Sequence, residues 1–280
     1  MTTPPSREAS AFSSLLRFWR GAYNLSQEAL ALQLDSSSRH ISFLENGRAH
    51  PSVEMVEKIA DELGLHSRDR NHLLVAAGYM PRRESLDFSS EKLRWLRNAM
   101  VMTLKSLDPY PATLNDDQGK ILMVNRGWVS LFRQILSQEQ LDRVDNHFEF
   151  LLDCMGDIGN NEQWRDTVSV VMMSLTQHTL LSGGDPKAEI LKRLEKHPNL
   201  PSDWKQRAAQ VEPMASYRIQ IEMQGKAFTF YNISQMVGAA GPAAYVSSPH
   251  LFTSTLYPED TQLDLGQWMP DTIKHPLLFY

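Results

Sequence analysis

The first 78 residues are a run of short helical patterns joined by short connections, with almost no period-2 alternation before Gly78. Such a segment has no strands to pair and must bury itself as an all-helical unit. The first helix is expected over about Arg7 to Arg20, with Phe12, Leu15, Leu16 and Trp19 at three- and four-residue spacing on one face. A second starts after Ser26, an N-cap type, with Leu25 and Leu30 placed as a hydrophobic staple, and stops near Leu34. Ser37 can cap a third helix that turns Ile41 and Leu44 inward and ends at Asn46-Gly47. Pro51-Ser52 opens a fourth, with Val53, Val56, Ile59, Ala60 and Leu63 on one stripe, stopped by Gly64. A fifth runs from about Ser67 to Ala77.

The 280 residues are too many for one small core, so a second domain is expected. The boundaries read as a helical domain over 7–80, a charged, proline-marked linker over 81–90 and a second domain over 91–280. In the last of these a helix from Glu91 to Leu107 leads to a hairpin, Ala112–Leu114 and Ile121–Val124 around the turn Asp116–Gly119. Helical patterns follow at Arg126–Leu136, Glu162–Leu181, Pro186–Lys196 and Pro201–Ala209, the second of them apolar on nearly all sides. Tyr217, Ile219, Ile221 and Met223 then alternate with polar residues, and past Gln224-Gly225 Phe228 and Phe230 do the same. With a strand around Leu251 to Leu256, this half reads as α+β, an antiparallel sheet with helices over it.

The net charge of −5 argues against bulk attraction to nucleic acid, yet it is unevenly spread. Residues 1–83 hold 10 Lys+Arg against 9 Asp+Glu, and the acidic excess lies in the rest. A single cysteine, Cys154, excludes a disulfide framework or a cysteine-rich zinc site. No apolar run is long enough to span a membrane and the start lacks the order of a secretory signal, so the expected address is the cytoplasm. No Walker loop, Gly-x-Ser-x-Gly, Gly-x-Gly-x-x-Gly or His-Glu-x-x-His is present, and the histidines are scattered without ligand spacing. Neither an enzyme nor a metal or redox cofactor is expected.

Leu25-Ser26-Gln27-Glu28-Ala29-Leu30-Ala31, Ile41–Arg48 and Pro51-Ser52 resemble the Cro/C1 (XRE-type) repressor helix-turn-helix family over a core of lambda-repressor-like type. The resemblance implies a structural ion pair between Arg20 and Glu45, and a third helix lying in the major groove of double-stranded operator DNA. Ser38, Arg39, Ser42 and Phe43 would face base edges, Arg39 being suited to donate twice to guanine. Phe43 would meet a thymine methyl or simply pack. Gln27, Asn46 and Arg48 suit phosphate oxygens, and Ser37 is either a contact or only a cap. One near-neutral head holds DNA weakly, so a homodimer on a two-part site is expected.

Asp69–Pro81, Asp108–Ala112, Val124–Arg126, Asp185-Pro186 and Leu256–Asp260 resemble MmyB-like transcription regulators. That resemblance implies a PAS-like sensor domain for a small apolar ligand, with a fatty acid the leading candidate. The pocket would lie between the helix Trp164–Leu181 and the strands Tyr217–Met223 and Phe228–Met236, walled by Trp164, Val168, Met172, Leu175, Phe228 and Phe230. Arg165, His178 or Arg218 would face an acyl carboxylate, although the chain has Thr176-Gln177 where the family often carries a basic residue. The alternatives are a second domain used only for dimerisation or partner binding, its methionines plain core, and an enzyme domain tethered to the helix-turn-helix.

Overall fold

In the computed structural model of the chain, the described residues are 10–82, 87–155, 162–181, 187–211, 216–238 and 250–280. They form two compact units, the second beginning at Asp87.

The first unit is five helices: α1 (Ala11–Ala22), α2 (Gln27–Gln33), α3 (Ser38–Glu45), α4 (Val53–Glu62) and α5 (Ser67–Ala76). Four serines begin them. Ser10, Ser26, Ser37 and Ser52 each hold extended backbone and accept a hydrogen bond from an amide of the first turn of α1, α2, α3 and α4 respectively, each cap contributing about 1 kcal/mol. With Ser10 as the cap, α1 starts at Ala11; Arg7, the expected start, lies outside the described residues. Gly47, Gly64 and Gly78 follow α3, α4 and α5 with positive φ, the left-handed step that ends a helix without a Cβ penalty. Phe12, Leu16, Leu30, Ile41, Leu44, Val56, Ile59 and Leu73 close one core. Leu15 and Trp19 are half-buried, and Val53, expected inward, is exposed at the first position of α4.

The second unit starts with a 3₁₀ turn (Glu91–Leu93) running into α6 (Arg94–Ser106). Then come β1 (Ala112–Asp116), β2 (Ile121–Val124), α7 (Arg126–Phe132), α8 (Gln138–Asp142), α9 (His147–Met155), α10 (Glu162–Leu181), α11 (Lys187–Glu195), α12 (Trp204–Gln210), β3 (Ser216–Met223), β4 (Lys226–Val237) and β5 (Leu251–Pro258). The strands make one antiparallel sheet in the order β2-β1-β5-β4-β3. α7 stops at Phe132, short of the expected Leu136, where the backbone tightens to i→i+3 bonds at Gln134 and Ile135. α12 begins three residues later than expected, past a Pro201 turn. Two helices, α8 and α9, carry no expectation from the sequence. The Asp185-Pro186 motif lies outside the described residues.

Alternation along β1 divides the sheet's faces. Ala112 and Leu114 pack with Leu96, Met100 and Leu104 of α6. Thr113 points the other way, with Ile219, Ile221, Phe230 and Leu256, toward α7, α9 and α10. A buried polar hub, Asn125, holds the entry to this core. Its carbonyl oxygen accepts from the Ala112 and Trp128 amides, both at 2.8 Å, and its amide donates to the Tyr110 carbonyl at 2.8 Å.

Candidate nucleic-acid interface and interior cavity

α3 is gripped at its C-terminal end by α1 and α2. Ser13 Oγ donates to the Leu44 carbonyl at 2.6 Å, and an Arg17 nitrogen to the Glu45 carbonyl at 2.8 Å. Carbonyls at a helix C-terminus lack intrahelical partners and carry the negative end of the dipole, so a hydroxyl and a cation suit them. The Glu45 carboxylate, 2% exposed, takes a forked pair of bonds from Arg20 at 2.6 and 3.2 Å. It also accepts from Gln27 Nε2 at 2.7 Å. Burial alone would push the Glu45 carboxyl up; the bonds from Arg20 and Gln27 outweigh it and hold the group below its usual range. The same pairing raises Arg20. A further Arg20 nitrogen donates to the Leu25 carbonyl, so one guanidinium ties α1, the start of α2 and the end of α3 together.

With Ile41, Leu44 and Glu45 buried, the opposite face of α3 is free. Ser38, Arg39 and Asn46 are exposed and Ser42 and Phe43 half-buried, which places five side chains on one stripe. The Arg39 guanidinium lies 5.3 Å from the centre of the Phe43 ring. This gives Phe43 a definite task, holding the arginine over an aromatic face. Asn46 Nδ2 donates to the Ser42 carbonyl at 2.8 Å. Ser37 Oγ accepts the His40 amide at 3.1 Å, so its hydroxyl is the helix cap. Arg48 is exposed just past the helix. Gln27, expected at a phosphate, commits an amide donor to Glu45. That link and the grip of Ser13 and Arg17 escaped the sequence reading, because nothing in their spacing shows which residue 18 to 31 positions away they meet.

In the second unit the expected pocket walls are brought together, but as packed core. Trp164, Val168, Met172 and Leu175 of α10 and Phe230 of β4 are each buried in one cluster, and half-buried Phe228 meets Trp268 edge-on at 5.5 Å. None of them lines the interior cavity. Arg165 pairs outward with Asp203 and Glu162, and Arg218 with Glu259, so neither faces this interior. The His178 side chain, like those of Cys154 and Met155, lies outside the described residues, as does Met214. The open space lies instead between α7, α9 and the sheet, a cavity of about 40 Å³ with Trp128, Phe132, His147, Phe150, Ile219 and Leu256 around it. Thr113, Asn232 and Ser254 form its polar part. Burial holds the His147 ring neutral, its pKa pushed down to about 4. α9, which supplies three of the walls, is one of the helices that sequence periodicity did not reveal.

Two helices meeting at a tight turn, the second fixed by its buried carboxylate with its outer stripe exposed, define the first unit as a helix-turn-helix of DNA-binding type. Residues 16–69 match the model of the XRE-type helix-turn-helix family, from the middle of α1 into α5, which marks a DNA-binding transcription regulator. No curated protein matches the chain. Among the described residues no helix is long and apolar enough to cross a membrane.

Proposed function

We propose that this protein is a sequence-specific transcription regulator that binds operator DNA as a homodimer and responds to a small apolar ligand bound by its second unit. The observation that carries the DNA half is the α3 stripe, with Arg39 poised over Phe43 at its centre. Arg39 reads a guanine edge, while Ser38, Ser42 and Asn46 make the neighbouring polar contacts and Arg48 a phosphate contact. A head carrying 10 basic and 9 acidic residues gains little from bulk attraction, so two heads on half-sites about one helical turn apart supply the affinity.

The sensor half rests on a sheet that faces helices across a cavity, the arrangement of the PAS-like reading. A cavity of about 40 Å³ has room for roughly three waters and fits a compact ligand better than a long acyl chain. We place the ligand against α7 and α9 and not against the α10 face. The ligand shifts DNA affinity only if it prefers one arrangement of the dimer. The reading involves no enzyme chemistry and no metal or redox cofactor, and places the protein in the cytoplasm.

The test is to select binding sites from a random DNA pool with the full chain, then measure affinity for the selected site and for random DNA across a salt series. A two-part site and a steep salt dependence are expected. Equal affinity for selected and random DNA would refute the assignment.

A further inference from the structure

The geometry points to a neutral ligand for the interior cavity: a small apolar molecule carrying one carbonyl-type oxygen, taken in preference to the matching carboxylate. This rests on the sensor reading above and names the chemical class of its ligand.

The polar part of the cavity is Asn232 and two hydroxyls already committed as acceptors. Ser254 Oγ accepts from Asn232 Nδ2 at 2.7 Å, and Thr113 Oγ1 accepts from Asn115 Nδ2 at 2.9 Å. A hydroxyl that accepts in this way keeps its own proton to donate. Thr113 and Ser254 are direct partners across β1 and β5, so the two hydroxyls sit side by side on the inner face of the sheet. Two adjacent O–H donors among Trp128, Phe132, Phe150 and Leu256 complement a single oxygen with two lone pairs on an apolar body.

Charge decides the rest. No lysine or arginine is among the described residues lining the cavity, and His147, its one ionisable wall, is neutral at ordinary pH. A carboxylate placed here would be buried without a countercharge, a far larger penalty than that of a carbonyl holding two hydrogen bonds. The two arginines nearest in expectation, Arg165 and Arg218, are bound to carboxylates elsewhere. Three waters occupy about 90 Å³ of liquid, close to the bulk of a molecule of about three or four heavy atoms.

The experiment uses the full chain and two isosteric probes, acetone and acetate, with calorimetry at pH 7.5. The ketone is expected to bind at least tenfold more tightly. Ser254→Ala and Thr113→Val, each checked by its unfolding midpoint, are expected to weaken the ketone about three- to tenfold. Equal or tighter binding of the carboxylate, failure of both probes, or folded variants that keep the wild-type ketone affinity would each overturn the assignment. Operator binding is measured in parallel with the ketone present. Ketone binding without any change in DNA affinity leaves the cavity assignment standing and overturns the sensor reading. A response of DNA affinity to the carboxylate alone does the reverse.

Discussion

Arg20 and Glu45 stand 25 positions apart, and their forked contact at 2.6 and 3.2 Å joins the last turn of α1 to the last residue of α3. The carboxylate is nearly inaccessible and the guanidinium mostly so, at 2% and 20% exposure. Because α3 is only eight residues long, its direction depends on such ties more than on its own backbone.

Removing one partner should therefore cost more than the pair contributes. Arg20→Ala leaves a buried carboxylate with Gln27 as its remaining side-chain donor, and a loss of about 3 kcal/mol is expected for the first unit. Replacing both residues with apolar ones of similar size should cost less than either single change. Urea unfolding of the three variants measures this; additive losses would show that the two residues do not act as a pair.

Arg39 offers the converse case, an exposed residue with little to do for stability. Arg39→Ala should leave the unfolding midpoint within a few degrees of wild type and cut discrimination between the selected and random DNA by about 5- to 150-fold. Phe43→Ala should reproduce part of that loss, since it frees the guanidinium. Fluorescence anisotropy on matched and mismatched duplexes checks both.

The response to acid should differ between the units. The folded-state pKa of His147 is about 4, below the ordinary 6.5, so the unfolded chain takes up its proton first as pH falls. The second unit thus keeps its full stability above pH 6.5 and loses it between 6.5 and about 4, by something on the order of 3 kcal/mol. His147→Phe should flatten that window. Glu45 is also held below its ordinary value, so its contribution to the first unit is present above the usual glutamate range and goes only as pH drops beneath it. Denaturation series at several pH values separate the two.

Asn125 and Gly127 show how tightly α7 is seated. Asn125→Ala would strand the Ala112 and Trp128 amides and the Tyr110 carbonyl, each bonded at 2.8 Å, at an expected cost of about 3 kcal/mol or more. A Cβ added at Gly127 would stand 2.4 Å from the Pro109 carbonyl oxygen, a backbone atom that cannot swing aside. Gly127→Ala is therefore expected to be as damaging as the Asn125 change, whereas Gly225→Ala meets no atom within 4 Å and is strained only through its positive φ. Thermal unfolding of the three variants ranks them.

The parts of this fold whose causes are local are legible along the chain. Ser26, Ser37 and Ser52 cap the helices they precede because a serine oxygen reaches an amide three residues on, and Gly47 and Gly64 stop them because the chain there needs a left-handed step. The alternation at Ile219, Ile221, Phe228 and Phe230 gave the β3–β4 hairpin for the same reason, since its period is a property of the strand alone. Which distant groups meet was settled by three-dimensional packing. It drew Gln27 to Glu45, set Phe43 beneath Arg39, turned Arg165 outward to Asp203, and filled the α10 face of the sheet while leaving space beneath α9. Those outcomes depend on close packing and on pairing buried charge across long separations, and a one-dimensional pattern holds no record of either.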